Sequence, residues 1–217
     1  MNKDKELLEK TYEKPGAIWT SQKPPTEIVE LIESGKIKPG KCLDVGCGEG
    51  FYSIYLASKG FDVTGIDLSE KAIEYAKRNA EEKGVKVKFI AMDVMDISKI
   101  KEKYDFIFEW TLLHFLMPEE RKKYVENIYN LLNDNGKYLS ICFNEQSSMF
   151  GTDKKIRVIP KNSRGFVGGK LYFSSVEELQ DLFKPYFNII ENKVFEALES
   201  GGRGFLNYFF MEKKNEK

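Results

Sequence analysis

Through the middle of the chain, short apolar runs alternate with longer segments in which apolar residues recur every three or four positions. The runs have the pattern of buried strands and the longer segments that of amphipathic helices, so the pattern predicts repeated βα units. A strand over 41–45 leads into a glycine-rich turn, then a helix carrying Tyr52, Ile54, Tyr55, Leu56 and Ala57 that stops at Gly60. A second strand, 62–67, is followed by Ser69 as N-cap of a helix with Ala72, Ile73, Ala76 and Ala80 on one face, ending at Gly84. Strands are expected at 85–92 and 105–109, a helix from Pro118 to Leu132, and after an Asn135-Gly136 turn a fifth strand at 137–143. Such alternation builds an α/β fold with a mostly parallel sheet and helices on both faces.

The ends depart from this rhythm. Pro24-Pro25 precede an amphipathic helix marked by Ile28, Leu31 and Ile32 and closed by Gly35, so residues 1–40 are read as a helical cover. Residues 144–172 lack a clear period and contain Gly151, Gly165, Gly168 and Gly169, which predicts an inserted loop or hairpin over the sheet edge. Ser174-Ser175-Val176-Glu177 is a capping-box pattern that starts a last helix. Two β-rich runs, 187–197 and 204–211, flank Glu199-Ser200-Gly201-Gly202 and form a predicted hairpin.

At 217 residues the whole reads as a single domain. The 34 basic and 34 acidic residues balance, so no global field recruits nucleic acid. The start, Met1-Asn2-Lys3-Asp4-Lys5-Glu6, is too charged for a secretory leader, and no apolar run approaches the ~18 residues of a membrane span, so a cytoplasmic location without membrane attachment is expected. Cys42, Cys47 and Cys142 have no paired spacing and His114 is the single histidine, so neither disulfides nor a bound metal are expected. Oligomeric state leaves no trace in the pattern.

The candidate chemistry lies at the tips of the strands. Leu43-Asp44-Val45-Gly46-Cys47-Gly48-Glu49-Gly50 ends the first, and Ile66-Asp67-Leu68-Ser69 ends the second. Gly46 and Gly48 let the backbone turn sharply and approach a ligand where a side chain would collide. Asp67 can accept hydrogen bonds from both hydroxyls of a ribose. A further acid, Asp93, ends the third strand.

These motifs resemble the class I S-adenosylmethionine-dependent methyltransferases over residues 41–143. The resemblance implies a Rossmann-like, seven-stranded sheet ending in a C-terminal antiparallel hairpin, with S-adenosylmethionine as cofactor. It assigns Asp44, Gly46, Cys47 and Gly48 to the first cofactor motif, Asp67 with Leu68 to the ribose, and Asp93-Val94 to the adenine. Glu109, ending the fourth strand, falls beside the methionine part. Nicotinamide-binding units use Gly-x-Gly-x-x-Gly, whereas this chain has Gly46-x-Gly48-x-Gly50, so an NAD(P)-dependent oxidoreductase ranks behind. A non-catalytic, S-adenosylmethionine-binding regulator is the other alternative.

The acceptor is less legible. The tip Glu109-Trp110-Thr111-Leu112 lacks the Asn/Asp-Pro-Pro-Tyr/Phe motif of the family's amino methyltransferases, and neutral charge argues against RNA, which leaves a small molecule. His114 is either a base at the active-site mouth or a histidine that packs or caps the Pro118 helix. Trp19 is either a lid over the cofactor, with Tyr12 and Trp110 as companions, or ordinary packing. Lys154, Lys155, Arg157, Lys161, Arg164 and Lys170 outnumber Glu145 and Asp153 in the insertion and either attract an anionic acceptor or form a solvated basic loop. Phe150, Phe166, Tyr172 and Phe173 either line an apolar acceptor pocket or belong to the core.

Overall fold

A computed structural model describes residues 3–17, 19–151, 154–161, 166–199 and 202–215. Helices α1 (Lys3–Thr11) and α2 (Thr26–Glu33) come first. The βα succession follows as β1 (Lys41–Val45), α3 (Phe51–Ser58), β2 (Asp62–Asp67), α4 (Glu70–Glu82), β3 (Lys88–Ala91), β4 (Tyr104–Trp110), α5 (Pro118–Leu131) and β5 (Leu132–Phe143). A short hairpin of β6 (Ile156–Val158) and β7 (Lys170–Tyr172) precedes α6 (Val176–Phe183), β8 (Phe187–Glu199) and β9 (Gly202–Lys213). Of the residues singled out above, Asp153, Arg164 and Gly165 of the insertion and Ser200 and Gly201 of the hairpin turn lie outside the described residues.

The main sheet has seven strands in the order β3-β2-β1-β4-β5-β9-β8. β3, β2, β1, β4 and β5 run parallel, and β9 is inserted antiparallel between β5 and β8. Because β1 pairs with both β2 and β4, the chain crosses to opposite sides after leaving it, and loops diverge above its C-terminal end. Such a divergence opens the crevice in which α/β sheets bind ligands.

Alternation along the strands supplies two cores. Leu43, Ile107, Tyr138 and Phe209 face α5 and α6, whereas Cys42, Phe106, Phe108, Leu139 and Phe210 face the side of α2 and the insertion. Consecutive strand residues point to opposite faces, so a sheet covered on both sides reads as an unbroken apolar run.

Three boundaries differ from expectation. β3 begins at Lys88 instead of residue 85, because Val85 N–H is spent on Ala80 O at the end of α4. The last capping box uses Ser175 and Glu178, one residue later than the motif read from sequence, with reciprocal bonds of 3.0 and 3.1 Å. β5 pairs from Leu132, and Asn133 to Gly136 form an irregularity in which Asn135 takes φ 59°. Asn-Gly thus turns the chain inside the strand instead of before it. No helix among the described residues is long and apolar enough to cross a membrane.

Candidate active site

A cavity of about 1210 Å³ opens at the C-terminal ends of β1, β2 and β4. That exceeds the ~300–1,000 Å³ of a usual single small-molecule site. Asp44, Gly46, Cys47, Gly48, Asp67, Leu68, Asp93 and Val94 border one half of it. The local geometry explains the residue types. Gly46 and Gly48 take φ of +80° and +52°, and a Cβ on Gly46 would stand 2.6 Å from Leu112 Cδ1. The turn is then closed by Asp67, whose Oδ2 accepts from Gly48 N–H at 2.9 Å while Oδ1 accepts from Ser69 N–H at 2.9 Å. Each oxygen retains a second acceptor position, which suits a diol.

Burial governs the charges here. Desolvation raises the Asp67 carboxyl to about 6 despite the Ser69 and Gly48 amides. Desolvation likewise raises Asp44 to about 7, against the hydrogen bond from Ser53 Oγ at 2.6 Å. Asp93 accepts from Met95 N–H at 2.9 Å and caps the 3-10 turn that follows β3.

The cover of 1–40 is tied to the glycine turn by Glu49. Its Oε1 accepts from Gly16 N–H (2.8 Å), Ala17 N–H (3.1 Å) and Thr20 Oγ (2.8 Å), and its own carbonyl accepts from Asn79 at 2.9 Å. Trp19 borders the cavity and donates through Nε1 to Tyr12 Oη at 2.8 Å. That hydroxyl sits where a Cβ on Gly48 would come within 3.0 Å. Tyr12 and Trp19 thus roof the motif.

Beyond β4 the chain makes a strained turn. Thr111 takes φ 62° and donates its N–H to Ile141 O at 2.7 Å. Of the four described non-glycine residues with positive φ, three (Thr111, Phe150 and Phe166) border the cavity, and such strain concentrates at functional sites. His114 follows in a 3-10 turn, buried, with its ring 4.1 Å from the Phe143 centroid at 23° and bordering the cavity. Its Nδ1 has no hydrogen-bond partner among the described residues. Burial, aided by Arg121, holds the imidazole well below its usual pKa, so it is neutral at pH 7.

Glu109, expected from the sequence beside the methionine part of the cofactor, stands apart from the other candidate residues. It is fully buried and does not border the cavity; Oε2 accepts from Leu112 N–H (2.8 Å) and Leu113 N–H (3.1 Å), and Oε1 accepts from Ser140. Its work is to hold the turn that presents His114. Burial raises its pKa to about 7, against the Ser140 and amide donors. The unfolded chain therefore binds fewer protons than the folded one between about 4.5 and 7, and this group's stabilising contribution, whole below about 4.5, is lost as pH rises through about 7. Glu109→Gln should abolish that loss, on the order of 2 to 3 kcal/mol. Urea midpoints at pH 5 and pH 8 test it: wild type should fall relative to the variant at pH 8, and a constant gap would show that Glu109 does not titrate in this window.

Residues 42–136 match the methyltransferase domain family. The chain is 33% identical over 128 residues to a 2-heptyl-1-hydroxyquinolin-4(1H)-one methyltransferase of Mycobacteroides abscessus, covering 58% of this chain and 56% of that protein. The chain is similar to class I S-adenosylmethionine-dependent methyltransferases, and the similarity is concentrated in the residues that carry the methyltransferase domain. The chain is also 28% identical over 192 residues to a probable thiol methyltransferase of Arabidopsis thaliana, covering 86% of this chain and 76% of that relative. An S-adenosylmethionine-dependent methyltransferase structure from Methanosarcina mazei superposes with a TM-score of 0.75 at 20% identity, over 89% of this chain and all of that one, which shows the shared fold. The chain spans about half the length of the quinolone methyltransferase it matches.

Against this methyltransferase fold, the structure gathers Asp44, Gly46, Cys47, Gly48, Asp67, Leu68, Asp93, Val94, Trp19 and His114 around one cavity. Sequence reasoning missed Glu49 as the clamp of the cover and Arg121 as the buried hub beneath His114. Glu49 was visible inside the motif; Arg121 looked like one more polar residue on α5. The basic insertion also resolves differently from an open anion-attracting loop. Arg157 is buried and donates to the carbonyls of Lys154 (3.0 Å), Met149 (2.9 Å), Glu145 (3.0 Å) and Ser147. Lys155 pairs with Glu178 (2.8 Å) and Glu145 (3.3 Å).

Proposed function

We propose that the protein is an enzyme that transfers the methyl group of S-adenosylmethionine in line to a small-molecule acceptor. The observation that carries this reading is the closed pair of strand tips, Asp67 bonded to Gly48, opening into a cavity that continues past His114 into an apolar chamber. Bound there, S-adenosylmethionine supplies an electrophilic methyl on a sulfonium.

The chain's own residues then bind, orient and exclude water. Asp67 accepts from the ribose hydroxyls, Asp93 and Val94 flank the base, and the Gly46 to Gly48 backbone allows close approach of the amino-acid portion. Tyr12 and Trp19 cover the turn and keep water out. In-line displacement depends mainly on alignment, which rigid strand tips provide. With S-adenosylmethionine bound, its methyl would pass to the acceptor with S-adenosylhomocysteine as the leaving group; the acceptor's proton would be lost to water, while His114, held neutral by burial, would orient the acceptor by accepting a hydrogen bond from it.

Titration calorimetry with S-adenosylmethionine, S-adenosylhomocysteine and NADH tests the reading. Micromolar binding of the two sulfur nucleosides and none of NADH is expected; the reverse outcome would sink the methyltransferase assignment. Turnover to S-adenosylhomocysteine with any acceptor separates an enzyme from a regulator that merely retains the site.

A further inference from the structure

The half of the cavity beyond His114 has a chemistry that the cofactor motifs leave unexplained. Phe115, Phe143, Met149, Ile159, Phe166 and Leu171 border it. One wall is a stack of planar groups: the Arg157 guanidinium lies 3.8 Å over the Phe173 ring, Phe173 stacks on Phe143 at 5.0 Å and 9°, and Phe143 stacks on His114 at 4.1 Å and 23°. Phe166 closes on Phe115 edge-to-face at 5.0 Å, and its N–H is fixed by Thr11 Oγ at 2.8 Å. Phe143 is stacked on both faces and so offers its edge to the chamber, and aromatic edges favour the face of a planar aromatic ring with a gain beyond the buried area.

The charges around the cavity point the same way. Asp4, Asp44, Glu49, Asp67, Asp93 and Glu120 border it, against Lys170 as the single bordering Lys or Arg among the described residues, and Lys170 is exposed. Three other described cations nearby are spent, Arg157 on four carbonyls, Lys155 on two carboxylates, and Arg121 on Leu113 O, Leu116 O and Ser174 Oγ, while Lys154 and Lys161 are exposed to solvent. An anion in the chamber would leave water and find, among the described residues, no buried cation free to pair with it.

We infer that the acceptor is an uncharged, planar aromatic molecule whose protic group lies against the His114 imidazole, and that anionic acceptors are excluded. The inference rests on the methyltransferase reading and deepens it. His114 borders the far wall with its Nδ1 buried and unbonded, and no described residue bonds its Nε2, so a hydroxyl, thiol or ring N–H on the ligand meets a complementary imidazole edge there. The Arg157 anchor makes the wall rigid in advance of binding.

The test uses protein saturated with S-adenosylhomocysteine and titrated at pH 7 with 2-naphthol, 2-naphthoate and the saturated alcohol decahydro-2-naphthol. 2-Naphthol should bind at least tenfold more tightly than either of the others. Phe143→Leu should weaken 2-naphthol several-fold while leaving S-adenosylhomocysteine affinity unchanged. Equal or tighter binding of 2-naphthoate or of the saturated alcohol overturns the inference. So does failure of 2-naphthol to bind a protein that still takes S-adenosylhomocysteine, an outcome that leaves the cofactor reading standing. Failure of S-adenosylhomocysteine itself to bind overturns both. The comparison of the three probes in the wild-type protein holds whether or not the Phe143 variant folds.

Discussion

Replacing Arg121 with methionine is expected to lower folding stability by on the order of 4 kcal/mol, more than any single contact in the site would suggest. The guanidinium is buried and donates from Nε to Leu116 O at 2.8 Å, from Nη1 to Ser174 Oγ at 2.6 Å and from Nη2 to Leu113 O at 2.9 Å, with Tyr172 O at 3.4 Å. Its plane also lies 4.4 Å from the Tyr172 ring centroid. One side chain therefore joins α5, the His114 turn, β7 and the entrance to α6. Methionine fills much of the volume but leaves the Leu116 carbonyl without a donor and Leu113 O with only the Leu116 N–H, in a buried place. Charge-assisted bonds contribute ~1.5–3 kcal/mol each and do not add fully. Urea denaturation should show a lower midpoint at unchanged slope, with a melting temperature roughly 8–16 °C lower. A loss under ~1 kcal/mol would mean that water replaces the guanidinium without cost, and the hub would lose its standing.

Asp67→Ala is expected to weaken S-adenosylhomocysteine binding by ~1.5–3 kcal/mol, roughly 10- to 150-fold, because the carboxylate proposed to accept from the ribose is gone. The structure adds a second contribution. The same carboxylate takes the amides of Gly48 and Ser69, so alanine also loosens the glycine turn. Asp67→Asn separates the two, since its amide oxygen retains one of those bonds. The raised pKa of about 6 supplies a further signature. Ribose hydroxyls favour the ionised form, so affinity should be full above about 6 and fall roughly tenfold per pH unit below it. That limb should vanish in Asp67→Asn; any slope left near 7 belongs to Asp44. Calorimetry from pH 5 to 8 measures both, and unchanged affinity in the alanine variant would overturn the assignment of Asp67.

Most strands and helices were legible because their residues answer to local rules. A strand buried on both faces is apolar throughout, as at Cys42, Leu43 and Val45, and a helix over a sheet is apolar on one side, as with Ala72, Ile73, Ala76 and Ala80. Boundaries failed where a neighbouring element competed for the backbone, as when α4 claimed the Val85 amide from β3.

The glycine turn and Asp67 were legible for a similar reason: positive φ and an acid at a strand tip are requirements of a few consecutive residues. Glu109 shows the limit. An acid at the tip of β4 looks like a ligand contact in one dimension, yet its direction is set by Ser140 on β5 and by the Leu112 and Leu113 amides, and these turn it away from the cavity. The basic insertion carries the same lesson, because Arg157 and Lys155 found carbonyls and carboxylates that are distant in sequence or outside any pattern.

By itself, the sequence determined the α/β alternation, the cofactor motif and its spacing, since periodicity and glycine conformation act over short range. The tertiary structure decided which charges remain for a ligand, which aromatic rings stack into a wall, and how the N-terminal cover is clamped by Glu49. Those outcomes depend on partners brought together across tens of residues, where burial makes every unmet hydrogen bond or charge costly and so settles which pairings persist.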